Sequence, residues 1–264
     1  MPEGHTIHRL AREHAAVLQG QPVALASPQG RFASGAALLT GRVLERVEPY
    51  GKHLFYVFEG DALLHVHLGL YGKFTTGTGQ PPEPQGALRL RMTAGGHWFD
   101  LRGPIACEVH APPDRDRLLT RLGPDPLRKD ADPDRAWDRL SRSRAPVGQL
   151  LMDQTVLAGV GNVYRAEVLF RAGLSPFTPG TQVRRPAWEA LWQDTRTLMR
   201  AGVRAGRIVT TVPADRDRRS GPVAREDAHY VYRRAGLACR RCGTEVRTQP
   251  MAARNLFWCP QDQA

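Results

Sequence analysis

The stretch LLMDQTVLAGVGNVYRAE, from Leu150 to Glu167, is the most specific pattern in this chain of 264 residues. Its first half is an apolar helix that runs to Val156, and a turn with two glycines then leads into a second helix at Asn162. A glycine-rich turn before a helix exposes backbone N–H groups at the positive end of the helix dipole. The stretch therefore predicts a phosphate-binding turn, or else a tight helix–turn–helix packed for its own sake.

Helical patterns surround this stretch, whereas strand patterns dominate the earlier part of the chain. We predict helices at 3–18, 137–141, 147–153, 162–172 and 186–201. We predict strands at 43–47, 52–58, 62–68, 87–92 and 97–101. The first region is thus expected to be a β-sandwich or barrel that carries an N-terminal helix.

Segments rich in proline, glycine and charged residues divide the chain. Residues 111–135 have the composition of a connection with one short helix, 76–86 that of a loop, and 213–228 that of a mobile loop. The predicted domains are an N-terminal β-sandwich (1–115), a linker (116–135), a helical domain (136–228) and a metal-binding hairpin (229–264).

The composition favours a polyanionic partner. The net charge is +11 and the pI about 10.2, which is typical of nucleic-acid-binding proteins, although basic proteins without such a partner exist. A hydrophobic fraction of 41% suffices for a core, and no apolar run approaches a membrane span. Because no secretory signal is visible, we expect a cytoplasmic protein without a membrane partner.

The chain begins Met-Pro-Glu-Gly, and removal of Met1 would leave a secondary amine on Pro2 beside the carboxylate of Glu3. An α-amino group has a pKa of about 7.7–8.0, so an unprotonated nucleophile is available near neutral pH. Such an amine can form a Schiff base with a sugar carbon while the neighbouring acid moves protons. The alternative is an ordinary helix start, because proline and an acidic residue both suit a first turn.

Two further candidates lie in the strand region. Lys52, one of three lysines in an arginine-rich chain, follows a glycine that permits close approach of a phosphate, although most such lysines point to solvent. Leu70 and Tyr71 stand at a turn tip, where they either pack on the second domain or act as a wedge in a base stack. His65 and His67 share a strand face and are interpreted as structural or as helping at the groove rather than as metal ligands, because no third ligand lies nearby in sequence.

Three of the four cysteines occur near the C-terminus, in the pattern Cys239-x2-Cys242-x16-Cys259-x2-Asp262. This spacing is typical of a zinc ribbon, but an aspartate stands where the fourth cysteine is expected. Either Asp262 binds zinc, or water takes the fourth position, or zinc is lost and apolar packing holds the hairpin. We favour one retained but weakened structural Zn²⁺ site. Arg254 lies between the Cys239/Cys242 pair and the Cys259/Asp262 pair, and its planar charged group could bind two phosphates that flank an extruded nucleotide.

Together these features resemble the formamidopyrimidine-DNA glycosylase/endonuclease VIII family of bifunctional base-excision enzymes, over essentially the full length. The resemblance rests, in chain order, on Pro2-Glu3-Gly4, Gly51-Lys52, the turn that ends Gly161-Asn162, and the zinc hairpin with Arg254. It implies an α+β fold with an N-terminal β-sandwich and N-terminal helix. A C-terminal helical domain with a helix–two-turn–helix and a terminal zinc-finger β-hairpin would complete this fold.

The resemblance also implies catalytic roles for four residues. Pro2 would be the Schiff-base nucleophile, and Glu3 the general acid/base that opens the sugar. Lys52 would be the proton donor and electrostatic partner for β-elimination, near the phosphate. Arg254 would position the phosphates and assist δ-elimination.

For DNA, the resemblance implies that Asn162 holds the phosphate beside the lesion and that Arg121 contacts the backbone. Leu70 and Tyr71 would enter the base stack. The implied partner is double-stranded DNA with damaged bases or abasic sites, bound by a monomer in a cleft between the domains. In a bacterium this would be a nucleoid-associated activity.

Sequence details place the resemblance on the endonuclease VIII side and imply oxidised pyrimidines as substrates. Leu70 stands where the formamidopyrimidine branch has a methionine wedge, and Gly148 where that branch has a lysine important for purine lesions. Gly69 replaces a glutamine of the better-known bacterial endonuclease VIII, and Asp262 replaces the last zinc ligand. The alternatives are a purine-lesion (8-oxoguanine/formamidopyrimidine) glycosylase, a catalytically silent damaged-DNA-binding protein of the same fold, or a generic zinc-ribbon nucleic-acid binder.

Overall fold

The computed structural model describes residues 2–264, so Met1 and its removal lie outside the described residues. The chain forms two compact units, which meet in sequence between Arg121 and Leu122. No helix of the described residues has the length and apolar character needed to cross a membrane. The four-part domain division drawn from the sequence stays a prediction.

The first unit is built mainly of antiparallel strands. Two four-stranded sheets have the strand orders β1-β6-β7-β5 and β2-β3-β4-β8. The elements of the described part of this unit are α1 (Gly4–Leu18), β1 (Ala24–Ala26), α2 (Ala33–Leu39), β2 (Leu44–Tyr50), β3 (His53–Phe58), β4 (Ala62–His67), β5 (Lys73–Thr78), β6 (Leu88–Ala94), β7 (His97–Arg102), β8 (Ala106–His110) and α3 (Pro112–Arg121).

The two sheets share one hydrophobic core, as the alternating strand patterns predict. Leu54 and Tyr56 of β3 belong to the same buried cluster as Met92 of β6 and Phe99 of β7. Helix α1 adds its apolar stripe to this core, and its buried His14 bridges the sheets. The imidazole Nδ1 of His14 lies 2.6 Å from the hydroxyl of Tyr56, and its ring meets Phe99 edge-on. The predicted sandwich with an N-terminal helix is confirmed.

The second unit is helical and ends in a β-hairpin. Its helices and strands are α4 (Pro133–Leu140), α5 (Val147–Leu150), α6 (Asn162–Arg171), α7 (Arg185–Ala205), β9 (Arg247–Met251) and β10 (Arg254–Trp258). Helix α6 is buried along almost its whole length because it serves two cores. Tyr164 and Val168 join the core of the other helices, whereas Ala166 and Phe170 pack on the cysteine-containing tail.

Glu167 anchors α6 to the tail. Its buried carboxylate accepts three backbone hydrogen bonds, at 2.8 Å from Tyr230, 2.9 Å from Val231 and 2.8 Å from Tyr232, and one from the Thr210 hydroxyl. A buried carboxylate is costly unless donors surround it, and these donors meet that requirement. The end of the quoted stretch therefore fixes the chain on both sides of segment 213–228.

Four elements that the sequence patterns did not predict appear in the first unit: β1, α2, β5 and β8. The predicted loop 76–86 is wrong at its beginning, because β5 continues to Thr78. Strand β5 lies at a sheet edge and exposes most of its short polar side chains, so it shows no apolar alternation. Segment 213–228 begins with a short 3₁₀ helix at Pro213–Asp215 and is otherwise irregular, as predicted. Near its end, buried Asp227 pairs with Arg240 at 2.9 Å. The mobility of this segment stays a prediction.

Candidate functional site

The start of α1 places Glu3 inside the first unit. Glu3 is the N-cap residue and is fully buried, and its backbone oxygen accepts the N–H of Thr6 at 2.9 Å. Its side chain makes no capping hydrogen bond to the helix. Helix initiation therefore explains the backbone of Glu3 but does not explain a buried carboxylate next to Pro2.

Lys52 lies in the turn between β2 and β3, after Gly51, whose φ of 56° is in the left-handed region. Burial, and to a smaller extent the neighbouring charges that include Lys52 and Arg121, lower the pKa of His53 to about 3. Burial and then the charge of Lys52 also lower the pKa of His67. The first unit thus brings Lys52 and Arg121 together around neutral histidines, which is an arrangement that can attract a phosphate.

The turn after β4 presents Leu70 and Tyr71 to solvent, and Tyr71 is 86% exposed. Sequence reasoning missed Ile105, which is 71% exposed and lies against the same turn. A Cβ atom at Gly69 would overlap the Ile105 side chain, and Gly69 has a left-handed φ of 67°. Gly69, which replaces the glutamine of the better-known bacterial endonuclease VIII, therefore leaves room for the Ile105 side chain beside Leu70 and Tyr71. No pattern in the sequence indicated Ile105, because its contact with this turn depends on how two loops meet.

The glycine turn before α6 is held by one side chain. Gln154 donates to the backbone oxygen of Val160 at 2.9 Å and accepts the N–H of Gly159 at 3.0 Å. Gly159 needs glycine because its φ is 90°. The N-cap residue of α6 is Gly161, which has no side chain to cap the helix. The positive end of the α6 dipole, at Asn162, therefore has no side-chain cap from this residue.

Asn162 brings the start of α6 to the hairpin that carries Arg254. Its amide Nδ2 donates to the backbone oxygen of Asn255 at 2.9 Å, and its Oδ1 accepts from the fully buried Arg165. Arg165 also donates to the backbone oxygen of Met251, at 3.1 Å. Sequence reasoning missed this positioning role of Arg165, although an arginine among the apolar residues of α6 is a signal for one.

The tip of the hairpin is strained. Ala252 and Ala253 connect β9 to β10 with φ values of 53° and 55°, which alanine adopts at a cost of roughly 1–2 kcal/mol each. Arg254 follows directly, and its Nη1 donates to the Ala253 oxygen at 2.7 Å. Bonds from Asn162 and Arg165 flank this turn, so the second unit holds the Arg254 backbone in place.

The four predicted metal ligands form one cluster. One ligand atom from each of Cys239, Cys242, Cys259 and Asp262 lies within 4.8 Å of all the others. The sulfurs of Cys242 and Cys259 are 3.4 Å apart, and Asp262 Oδ2 is 3.0 Å from Cys239 Sγ. Tetrahedral zinc with Zn–S bonds of about 2.3 Å separates its sulfur ligands by about 3.8 Å. The cluster therefore has the size of a zinc site.

The chemistry of these donors also fits zinc. Burial raises the pKa of the Cys239 and Cys259 thiols. Backbone N–H groups of Arg241 and Asp262, each 3.4 Å from one of these sulfurs, oppose that rise, as they would in stabilising a thiolate. Burial alone would raise the pKa of Asp262, but hydrogen bonds from the cysteine thiols outweigh it and lower that pKa. Asp262 is therefore an anionic oxygen donor placed where a fourth ligand is needed.

The predicted site residues are divided between the units. Those of the first unit are Pro2, Glu3, Lys52, Leu70, Tyr71 and Arg121, and those of the second are Asn162, Arg254 and the four residues of the metal cluster.

Three family models match the chain in order. The formamidopyrimidine-DNA glycosylase N-terminal domain matches residues 1–104, and the H2TH domain of the same glycosylase matches residues 122–214. The zinc finger found in FPG and IleRS matches residues 236–264.

Whole-length relatives agree with these models. The chain is 49% identical to endonuclease 8 1 of Mycobacterium tuberculosis, over 98% of each chain. It is 32% identical to the formamidopyrimidine-DNA glycosylase of Acidothermus cellulolyticus, over 100% of this chain and 96% of the relative. The solved complex of Lactococcus lactis Fpg with DNA that contains an abasic site has the same fold, with a TM-score of 0.82 over 99% of both chains at 23% identity.

Proposed function

Because this chain belongs to the formamidopyrimidine-DNA glycosylase/endonuclease VIII family of base-excision repair, we propose that it is a bifunctional DNA glycosylase and AP lyase. Its substrates are oxidised pyrimidines in duplex DNA. The observation that carries the proposal is the fully buried carboxylate of Glu3, which follows Pro2 in the chain.

The proposed reaction begins when the Pro2 nitrogen attacks C1′ of the damaged nucleotide. The N–C1′ bond forms as the bond to the base breaks, and the proton of the Pro2 amine passes to the departing base. Glu3 then delivers a proton to the ring oxygen, so that the C1′–O4′ bond breaks and the sugar opens to an iminium. Loss of a C2′ proton then expels the 3′ phosphate (β-elimination), and a second elimination expels the 5′ phosphate. Lys52 and Arg254 stabilise and position the phosphates during these eliminations. The chemistry requires that Met1 be removed.

DNA binding is supported by charge and by exposed side chains. The net charge is +11, and in the first unit the charges of Lys52 and Arg121 both act on His53, whose pKa they help to lower. We propose that Leu70 and Tyr71 fill the space left by an extruded nucleotide, because their exposure has no packing explanation. The enzyme acts as a monomer on this substrate.

Two observations favour pyrimidine over purine lesions. The relative at 49% identity is named an endonuclease 8. In addition, a Cβ atom at Gly148 would lie 3.0 Å from Met251 Sδ and 3.0 Å from the Pro176 oxygen. The lysine that the resemblance associates with purine lesions would therefore have to displace its neighbours at this position.

We propose that Cys239, Cys242, Cys259 and Asp262 hold one structural zinc ion, which would supply folding energy to the hairpin. The pairing of β9 with β10, from Arg247 to Trp258, then positions Arg254 at the tip of the hairpin. Zinc takes no part in the proposed eliminations.

Trapping with borohydride tests the proposal. Wild-type protein without Met1 should form a covalent complex with duplex DNA that carries an abasic site. A chain extended by one residue before Pro2 has the same fold but an acylated nitrogen, and it should form none. Glu3→Gln should lose base removal while it retains part of the trapping on a preformed abasic site. Absence of any trapped complex with the wild type, together with tight binding to damaged DNA, would instead favour the silent binding protein.

A further inference from the structure

The outer face of one sheet in the first unit carries histidines that the proposed reaction does not use. Strands β4 and β8 are antiparallel, with His65 directly opposite Glu108. His110 lies two residues beyond Glu108 and therefore shares its face. The sequence interpretation of His65 as structural or helping at the groove, rather than as a metal ligand, relied on the lack of a third ligand nearby in sequence. Strand β8 supplies two such ligands.

The three side chains are close enough to share an ion. One potential ligand atom from each of His65, Glu108 and His110 lies within 4.8 Å of the other two. The His110 Nε2 atom is 3.2 Å from Glu108 Oε2. Tetrahedral zinc with bonds of 2.0–2.2 Å to nitrogen and oxygen holds such atoms about 3.3 Å apart. A direct hydrogen bond between His110 and Glu108 has a similar length, so a second observation is needed to distinguish a metal site from a hydrogen bond.

His65 provides that second observation. Its side chain is only 4% exposed, and its Nδ1 is buried with no hydrogen-bond partner among the described residues. Its other nitrogen, Nε2, lies 2.9 Å from His53 Nδ1. A histidine that binds a metal through one nitrogen typically donates its other N–H to a fixed acceptor. His53 can be that acceptor, which leaves Nδ1 of His65 for an ion.

The surroundings leave the cluster accessible to a cation. The Glu108 side chain is 61% exposed, so an ion can enter from solvent and keep a water ligand. The nearby cation Arg115 is paired with Glu48 and lies over the Phe55 ring, 5.7 Å from its centre. Two imidazoles and one carboxylate are donors that suit zinc and similar divalent transition metals rather than Ca²⁺ or Mg²⁺.

We propose that His65, Glu108 and His110 form a second metal site, in the first unit, that binds Zn²⁺ or a similar divalent transition metal. The site is additional to the cysteine cluster of the second unit and needs none of its residues. His53 is a positioning residue, which orients His65 without touching the ion.

Metal analysis of the full chain tests this site. Protein loaded with ZnCl₂ and then gel-filtered should contain two zinc ions per chain. Glu108→Gln and His110→Ala should each contain one, and Cys239→Ser should retain the ion of the first unit. His53→Ala should weaken binding there about 10- to 100-fold. His97→Ala, on the other sheet, is the matched control and should still hold two.

A measurement of the unfolding midpoint separates loss of metal binding from failure of a variant to fold. Added Zn²⁺ should raise the unfolding midpoint of Cys239→Ser, because an ion that binds the native state stabilises it. It should not raise the midpoint of Cys239→Ser combined with Glu108→Gln, an exposed substitution that the fold tolerates. The proposal is wrong if Cys239→Ser binds no zinc, or if Glu108→Gln and His110→Ala leave the zinc content unchanged. Either result is independent of Pro2 trapping, so it does not bear on the proposed reaction.

Discussion

Asn162, the first residue of α6, donates a hydrogen bond of 2.9 Å to the backbone oxygen of Asn255, next to Arg254 in the hairpin. The other end of the same amide accepts from Arg165. One N–H of the Asn162 amide remains for a further acceptor, which is the one that a phosphate would take. This residue can therefore bind a phosphate and position the hairpin that carries Arg254.

Replacing Asn162 should affect stability and activity together. Asn162→Ala leaves the Asn255 carbonyl and one Arg165 N–H without this partner, so unfolding in urea should cost about 1–3 kcal/mol less. Cleavage of abasic DNA should fall as well. Asn255→Ala is the matched control: it keeps the backbone acceptor and should stay within roughly 0.5 kcal/mol of wild type. If the two variants unfold alike, the amide does not hold the hairpin.

Sequence reasoning succeeded where a local pattern reports a local structure. Strands β3 and β4 follow from the apolar runs at 52–58 and 62–68, and α6 follows from the glycine turn before Asn162. It failed where distant segments combine. Spacing alone could not show that Ile105 lies against Gly69, because this contact depends on how two loops meet. The roles assigned to the catalytic residues stay predictions.

Buried histidines predict a loss of stability in acid, and His14 gives the clearest case. Burial lowers the pKa of His14 to about 3, so the folded protein keeps this ring neutral while the unfolded chain protonates it near 6.5. Stability is therefore present above pH 6.5 and is lost as the pH falls towards 3. Between pH 7.5 and 5 this one group should cost about 2 kcal/mol.

Urea unfolding at the two pH values checks this expectation. His14→Gln should be less stable than wild type at pH 7.5, because its neighbours Tyr56 and Phe99 lose contacts. It should nevertheless lose about 2 kcal/mol less than wild type on going to pH 5. His97→Gln serves as the control for removal of a less buried histidine. Equal pH dependence in His14→Gln and wild type would contradict the assignment.

The exposed turn predicts a defect confined to duplex substrates. Tyr71→Ala removes a side chain that is 86% exposed, so the free energy of unfolding should not change. Lost contact with a base is worth about 1–3 kcal/mol, so single-turnover excision from a duplex should slow roughly 5- to 150-fold. Leu38→Ala removes another exposed apolar side chain, on α2, and should have no effect. A similar defect on single-stranded substrate would show that Tyr71 does not fill a gap in the stack.

The fourth ligand of the cysteine cluster can be identified by changing Asp262 alone. Competition with a chelator in the Glu108→Gln background measures only this cluster. Asp262→Cys should bind zinc at least ~10-fold more tightly, because a thiolate is a better structural ligand than a carboxylate. Asp262→Asn keeps the shape, removes the charge and should bind more weakly, and Cys239→Ser should bind weakest. Equal affinity of Asp262→Asn and the parent would mean that water, rather than the carboxylate 3.0 Å from Cys239, completes the site.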